Sequence, residues 1–320
     1  MLKTGVVLVN LGSPESPQTG DVRKFLRAFL GDPRVVNLPR PLWLLILNLF
    51  ILPFRPSKSA HAYQSIWTEA GSPLAVHTAG LSQRLNQLYA QPNLEFAYAM
   101  SYGEPAIADV IAGLRQNGAG RIIVLPLYPQ YSSTTTASVF DALAAYGRKQ
   151  RHIPELHFIS DYHQRPVYIK ALADSVRAHW RDHGQAELLL LSFHGLPKKL
   201  SELGDPYAKQ CAETARLLAA ELGLDAARWR LVFQSRFGRA EWLQPYCVET
   251  LQALPAEGIK HIDVLCPGFA VDCLETLEEI AITNKQIFLD AGGVEYRYIA
   301  ALNDGVAHAA AIYDIIINHD

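Results

Sequence analysis

No Cys-x-x-Cys pair occurs in the chain, and its four cysteines, Cys211, Cys247, Cys266 and Cys273, show no ligand spacing. That excludes a zinc ribbon and a thioredoxin-type redox pair, and it sets the expectation of a reducing, cytoplasmic protein with free thiols. Long basic runs are missing too. The 29 lysines and arginines nearly balance 31 aspartates and glutamates for a net charge of −2, so nucleic acid is not an expected partner. After the first apolar run the loop reads Asn10-Leu11-Gly12-Ser13-Pro14-Glu15, without Gly-x-Gly-x-x-Gly, and no Gly-x-x-x-x-Gly-Lys appears, which argues against a nucleotide cofactor. Met1-Leu2-Lys3 leads directly into a strand, so no signal peptide is expected. Nor does Leu42–Phe54 reach the roughly 20 apolar residues a bilayer span needs. It is hemmed by Pro41 and Pro53 and interrupted by Asn48.

What remains is an alternation of short apolar runs with helical periodicities. Strands are expected at Gly5–Leu11, Phe96–Met100, Arg121–Leu127 and Leu156–Ile159, then at Leu188–Phe193, Arg230–Gln234, His261–Cys266 and Glu295–Ile299, with helices between them. Alternating strands and helices form a parallel sheet covered by helices. The halves also match each other: VLVNLGSP faces LLLSFHGLP, FAYAMSYG faces LVFQSRFG, and VLPLYPQYSS faces VLCPGFAVDC. The expected fold is therefore α/β, two duplicated Rossmann-like, doubly wound parallel-sheet domains with a cleft between their strand ends. The expected boundaries are 1–150, including the apolar segment, and 151–320, with the last helix, His308–Ile317, free to pack back on the first domain.

Chemistry points to the strand Leu188–Phe193. Four leucines, a serine and a phenylalanine run straight into His194 and break at Gly195 and Pro197. In an open parallel sheet ligands bind just beyond the strands' carboxyl ends, which is where His194 falls. The plainer reading is a histidine that happens to end a strand. A second cluster, Asp272, Glu275 and Glu279, has the i, i+3, i+7 spacing of one helix face, although such a row is usually a solvated face. Imidazole opposite carboxylates suits a borderline divalent metal such as Fe(II) or zinc, and the same groups take up protons. Phe193, Tyr128, Tyr131, Phe237, Trp242, Phe269 and Tyr63 fall at or near strand ends and together outline a flat apolar cavity. The hydroxyl run Ser132–Thr136 opens a helix, as a cap or as an anion holder. Leu42–Phe54, followed by Arg55 and Lys58, reads either as a buried core helix or, favoured by Trp43 and the flanking charges, as an exposed lip for a membrane surface or a greasy ligand.

Five ordered motifs, VLVNLGSPESP, LYPQYSSTTT, LSFHGLP, FQSRFGRAEWLQP and CPGFAVDCLETLEEI, cover essentially the whole chain. They resemble the ferrochelatases of bacterial type, enzymes of the chelatase fold that insert ferrous iron into a porphyrin. The resemblance implies protoporphyrin IX and Fe(II) as substrates and haem as product. It places His194 at the metal and porphyrin nitrogens, Glu275 across the cleft from it, and Glu279 one turn on as a continuation of an acidic path. All three are thus candidate metal contacts, and which of His194 and Glu275 is base and which is ligand stays open. Trp242 matches a residue flanking the macrocycle, Leu11 and Tyr128 match cavity walls, and Leu42–Phe54 matches the lip through which porphyrin enters. Tyr63, Ser132 and Phe269 complete the expected porphyrin-binding set. Thr283 stands where some relatives continue the acidic path. Relatives that take coproporphyrin often carry a tyrosine in place of Leu11, which favours protoporphyrin. The cysteines that hold a [2Fe–2S] cluster in some relatives have no counterpart after Asn318, so no cluster is expected. Peripheral contact with the inner face of the cytoplasmic membrane and with the upstream porphyrinogen oxidase is also implied. The alternatives within reach are a cobalt chelatase of the same fold acting on a precorrin-type ring, and a non-catalytic porphyrin or haem carrier.

Overall fold

Among the described residues neighbouring strands of both sheets pair in parallel, and the pairing order is the same twice over. The structure is a computed structural model that describes all residues except Met1, Asn37, Ala90, Arg239 and Asp320. Its first sheet runs β2-β1-β3-β4, built from β1 (Thr4–Asn10), β2 (Leu94–Met100), β3 (Arg121–Pro126) and β4 (Glu155–Phe158). Its second runs β6-β5-β7-β8, built from β5 (Leu188–His194), β6 (Trp229–Gln234), β7 (His261–Leu265) and β8 (Glu295–Ile299). In each, the first strand in sequence sits inside the sheet, with the second on one side and the third on the other. Helices must therefore cover opposite faces as the winding reverses, and a crevice opens outside the carboxyl ends of the first and third strands.

The chain divides into two compact units, Met1–Asp161 with Asp304–Asp320, and Tyr162–Asn303. β4 pairs with β3 from Arg121↔Glu155 to Val124↔Phe158, which carries the first unit past residue 150. The C-terminal helix Val306–Ile317 belongs to that unit: it packs on the helix Pro73–Leu88, and the Tyr313 ring lies flat on Tyr89 at 3.8 Å.

The central strands explain themselves. Val6–Val9 in β1 and Leu188–Phe193 in β5 are buried on both sides, as β-branched and leucine runs must be when helices cover both faces. In the first unit Val7, Val9 and Val124 pack against Ile107, Ile111, Val139 and Leu143; in the second Leu188, Leu190 and Val264 pack against Leu251, Ile280 and Phe288. The repeat extends to the loops. At the end of each second strand a backbone N–H donates to a proline carbonyl of the following loop, Met100 N to Pro105 O and Phe233 N to Pro245 O, both 2.8 Å. Phe193 belongs to the core and not to a cavity, since its ring is wholly buried inside β5.

The apolar segment forms a helix Arg40–Ile46, a π-helical turn Leu47–Ile51 and a helix Leu52–Ile66. Trp43, Leu47 and Leu52 point inward, whereas Leu42, Leu45, Leu49, Phe50 and Phe54 are exposed. The buried-helix alternative is thereby overturned. Trp43, however, is not an interface residue: its indole N–H donates to Leu30 O at 2.7 Å and pins the segment to the helix Thr19–Leu30. No helix among the described residues is long and apolar enough to cross a membrane.

Candidate active site

His194 ends β5, half-buried, with Nδ1 2.6 Å from Gly195 O. Ending an otherwise apolar strand, it stands at the lip of the crevice that the winding reversal creates between β5 and β7. The loop after it is held by an antiparallel strip, in which Lys198 N donates to Glu241 O and Leu243 N to Leu196 O, both 2.9 Å. That strip lays the Trp242 ring on Gly195. A Cβ at Gly195 would come within 2.6 Å of Gln234 O and 3.1 Å of Trp242 Cε3, so only glycine lets strand, loop and ring close up here.

Across the crevice, Glu275 and Glu279 lie on the segment after β7. The expected helix is there, but from Glu275 to Asn284 it is π-helical, with i→i+5 bonds and a wider turn. Such windings are rare and concentrate at functional sites. Asp272 is not part of the carboxylate row. It precedes the helix, is buried, and is fully occupied by the Tyr298 hydroxyl at 2.6 Å, Asn303 Nδ2 at 2.7 Å and Thr276 Oγ1 at 2.9 Å. Those bonds lock the loop after β7 to the loop after β8, so its role is to place the helix. Cys273 is buried, and burial, with the neighbouring Glu275 carboxylate adding to it, pushes its thiol well above the ordinary range.

Gln234 joins the two walls, and sequence reading missed it. It ends β6 directly beside His194 in the strand register and is buried. Its Oε1 accepts from Ser192 Oγ at 2.8 Å, while its Nε2 donates to Glu275 O at 2.9 Å and Glu279 Oε2 at 3.3 Å. Removing that amide would leave a buried hydroxyl and a carbonyl without their partner, at about 1–3 kcal/mol each. Ser235, next in sequence, takes a left-handed φ of 63°, uncommon for any residue but glycine. The turn aims its N–H at Glu279 Oε1, 2.7 Å away, and its hydroxyl donates to Glu279 Oε2. The signal that could have found both residues is the pairing of FAYAMSYG with LVFQSRFG: a glutamine where an apolar strand should end is a buried amide in need of partners.

Burial raises the Glu279 carboxyl above its ordinary range, and the Glu275 charge adds to this, while the Ser235 hydrogen bonds and the charge of His194 pull it back. A raised native value favours the protonated acid. The corresponding stability is fully present below the unfolded value, near 4.5, and is lost as pH rises through the native one. The melting temperature of a Glu279→Gln variant relative to the unaltered protein is therefore expected to climb as pH rises above about 4.5 and to level off once pH has passed the native value. A pH-independent difference in parallel melts would contradict this.

The other expected residues divide. Leu11 and Tyr128 follow β1 and β3, at the strand ends of the first unit, Leu11 half-buried and Tyr128 against that unit's core. Phe269 packs partly buried against the core of the second unit. Tyr63 is not at a strand end: it lies in the helix Leu52–Ile66, buried edge-on against Phe25 and Trp67. Ser132 is buried in the turn before the helix Thr136–Arg148, where its Oγ accepts from Thr134 N at 3.1 Å; the N-cap, Thr135, makes no side-chain cap bond. Among the described residues no group of three or more His, Cys, Asp and Glu side chains is set to hold a metal ion, so His194, Glu275 and Glu279 do not form a closed cage.

The doubly wound pair of sheets is an α/β architecture of the kind seen in solved chelatases. The crystal structure of the sirohydrochlorin chelatase SirB from Bacillus subtilis subspecies spizizenii in complex with cobalt superposes with a TM-score of 0.57 at 12% identity, covering 98% of this chain and 93% of that one. The family described as Ferrochelatase matches residues 3–320, and the chain belongs to it. Among its relatives, a ferrochelatase from Methylococcus capsulatus is 56% identical over 98% of this chain and 95% of its own length. One from Aeromonas hydrophila is 52% identical over 98% of both.

Proposed function

We infer that this protein inserts ferrous iron into protoporphyrin IX to give haem and two protons, the last step of haem synthesis, and that the crevice at the ends of β5 and β7 is where it does so. The observation that carries the site assignment is the hydrogen-bonded chain His194-strand, Gln234, Glu275, Glu279 at the winding reversal. Free porphyrin holds two N–H protons in the ring plane, where an incoming ion cannot reach all four nitrogens. Gripping and ruffling the macrocycle turns the nitrogen lone pairs out of plane, at the expense of binding energy from its large apolar area. His194 accepts the pyrrole protons one at a time as the ion enters, releasing the first to solvent or to the Glu279 side before it takes the second. Glu275 meets the ion, and Glu279, held by Ser235 and biased towards its neutral form, exchanges protons or metal behind it. Trp242 is assigned to the ring's flank, and Leu11, Tyr128 and Phe269 to ring contacts that tune fit.

The test is anaerobic incubation with protoporphyrin IX and Fe(II). Conversion of the free-base spectrum to that of haem is expected. Turnover of a precorrin-type ring with Co(II), and none of protoporphyrin, would replace this reading with the cobalt chelatase. The exposed Leu42, Leu45, Leu49, Phe50 and Phe54 argue against such a polar substrate.

The same face is assigned to peripheral binding at the cytoplasmic side of a membrane, from which an apolar porphyrin is taken up, and where contact with the oxidase that supplies it would follow. Two half-exposed large side chains contribute about 2 kcal/mol on immersion, roughly a thirtyfold partition. Leu45→Gln with Phe50→Gln is expected to cut liposome binding by about that factor; unchanged co-flotation would dismiss the membrane role.

A further inference from the structure

Glu279 has less to offer a metal ion than a carboxylate ordinarily has. An ionised carboxylate only accepts hydrogen bonds, with about four lone-pair positions on its two oxygens. Three of them are taken by donors from the end of β6. Ser235 N–H donates to Oε1 at 2.7 Å, the Ser235 hydroxyl donates to Oε2, and Gln234 Nε2 donates to Oε2 at 3.3 Å. Oε2 is thus filled, and a single position on Oε1 is left.

The fold fixes the direction of each donor. Gln234 is buried, and its Nε2 also lies 2.9 Å from the main-chain carbonyl of Glu275, a group that can only accept. Turning the amide over would set its oxygen against that carbonyl and against the Glu279 carboxylate at once. In the orientation that avoids this, Gln234 Oε1 accepts from Ser192 Oγ at 2.8 Å, so the amide is anchored on the buried strand β5. Ser235 is committed by its backbone, whose left-handed φ of 63° brings its N–H and its hydroxyl to the same carboxylate.

A carboxylate holds a dication most firmly when both of its oxygens chelate the ion. With Oε2 filled, Glu279 meets Fe(II) through Oε1 alone. Glu275 differs, because its bond from Gln234 falls on the main-chain carbonyl and leaves its carboxylate outside the clamp. We propose that Gln234 and Ser235 are positioning residues that confine Glu279 to a one-oxygen contact, so that it hands Fe(II) on to Glu275 instead of retaining it. This rests on the reading of Glu279 as part of the metal path, and it goes beyond that reading by assigning the release of the ion to two neighbours of the path.

The test uses Ser235→Gly, which removes the hydroxyl and keeps the N–H. Glycine suits a left-handed backbone, so the variant should melt no lower than the unaltered protein. Zn(II) binding to the porphyrin-free protein, measured by equilibrium dialysis at one fixed, mildly alkaline pH, is expected to tighten by about tenfold, the scale of one charge-assisted hydrogen bond that no longer competes for Oε2. KM for Fe(II) should fall, and kcat should fall with it, because the ion leaves Glu279 more slowly. Removing a residue that merely props up Glu279 would do the opposite, with weaker metal binding and a raised KM. In a Glu279→Gln background, Ser235→Gly should change neither quantity. Looser or unchanged zinc binding in Ser235→Gly, or an equal tightening when Glu279 is already glutamine, would overturn the clamp. If Glu279→Gln by itself alters neither zinc binding nor iron insertion, the metal-path reading of Glu279 falls, and the clamp falls with it.

Discussion

Replacing His194 with alanine is expected to lower the rate of iron insertion at saturating Fe(II) by about a hundredfold to ten-thousandfold, the range a positioned general base supplies. Porphyrin affinity should change little, because the ring's binding area lies elsewhere. The variant should also fold: His194 is a half-buried strand-terminal residue, and the buried leucines and Phe193 before it hold β5 in place without it. The loss should therefore appear in kcat, not in KM for porphyrin or in the melting temperature. Near-normal turnover at saturating iron would remove His194 from the proton-accepting role.

The second large effect is expected of Glu275→Gln. The substitution keeps shape and hydrogen-bonding capacity but removes the charge that meets a dication. A pair of unit charges 4 Å apart near a protein surface interacts by about 4 kcal/mol, so losing one charge is expected to cost roughly a hundredfold in the insertion step once screening is allowed for. Because the Gln234 amide bonds the main-chain carbonyl of Glu275 and not its carboxylate, the π-helical segment should keep its position. Protoporphyrin binding, followed by fluorescence quenching, should stay within about threefold. That split separates an enzyme from a porphyrin carrier: a carrier has no use for the Glu275 charge. Unchanged insertion would exclude Glu275 from the metal path, and lost porphyrin binding would mean that it shapes the ring's pocket instead.

Much of the fold was legible because its signals are local and repeated. Leu188–Phe193 is apolar on both faces only because helices cover both sides of a parallel sheet, and the matched halves anticipated the matched strand orders. His194 was legible for the same reason, as a polar residue where such a strand must end. The π-helical winding at Glu275–Asn284 was not, since apolar residues three and four apart fit either winding and the choice rests on tertiary packing. Asp272 was misplaced in consequence: its spacing suits an α-helical face, but its actual partners, Tyr298 and Asn303, come from the next strand and loop. Gln234 and Ser235 escaped notice because their value lies in the register of β6 beside β5, a property of two strands that neither displays alone. Trp43 shows the same limit from the other side, an aromatic at the edge of an apolar run whose direction is set by one hydrogen bond to Leu30. That the last helix is free to return to the first domain is an expectation of the sequence; the Tyr313–Tyr89 stack that holds it there joins distant parts of the chain and is not legible locally.

The most direct measurement is a single-turnover reaction of the protein with protoporphyrin IX and Fe(II) in the absence of oxygen, following the porphyrin spectrum together with a weakly buffered pH indicator. The account predicts one haem formed and two protons released per iron consumed, with both signals slowed in step by His194→Ala. A free-base spectrum that persists in the presence of excess Fe(II), with no proton release, would contradict it.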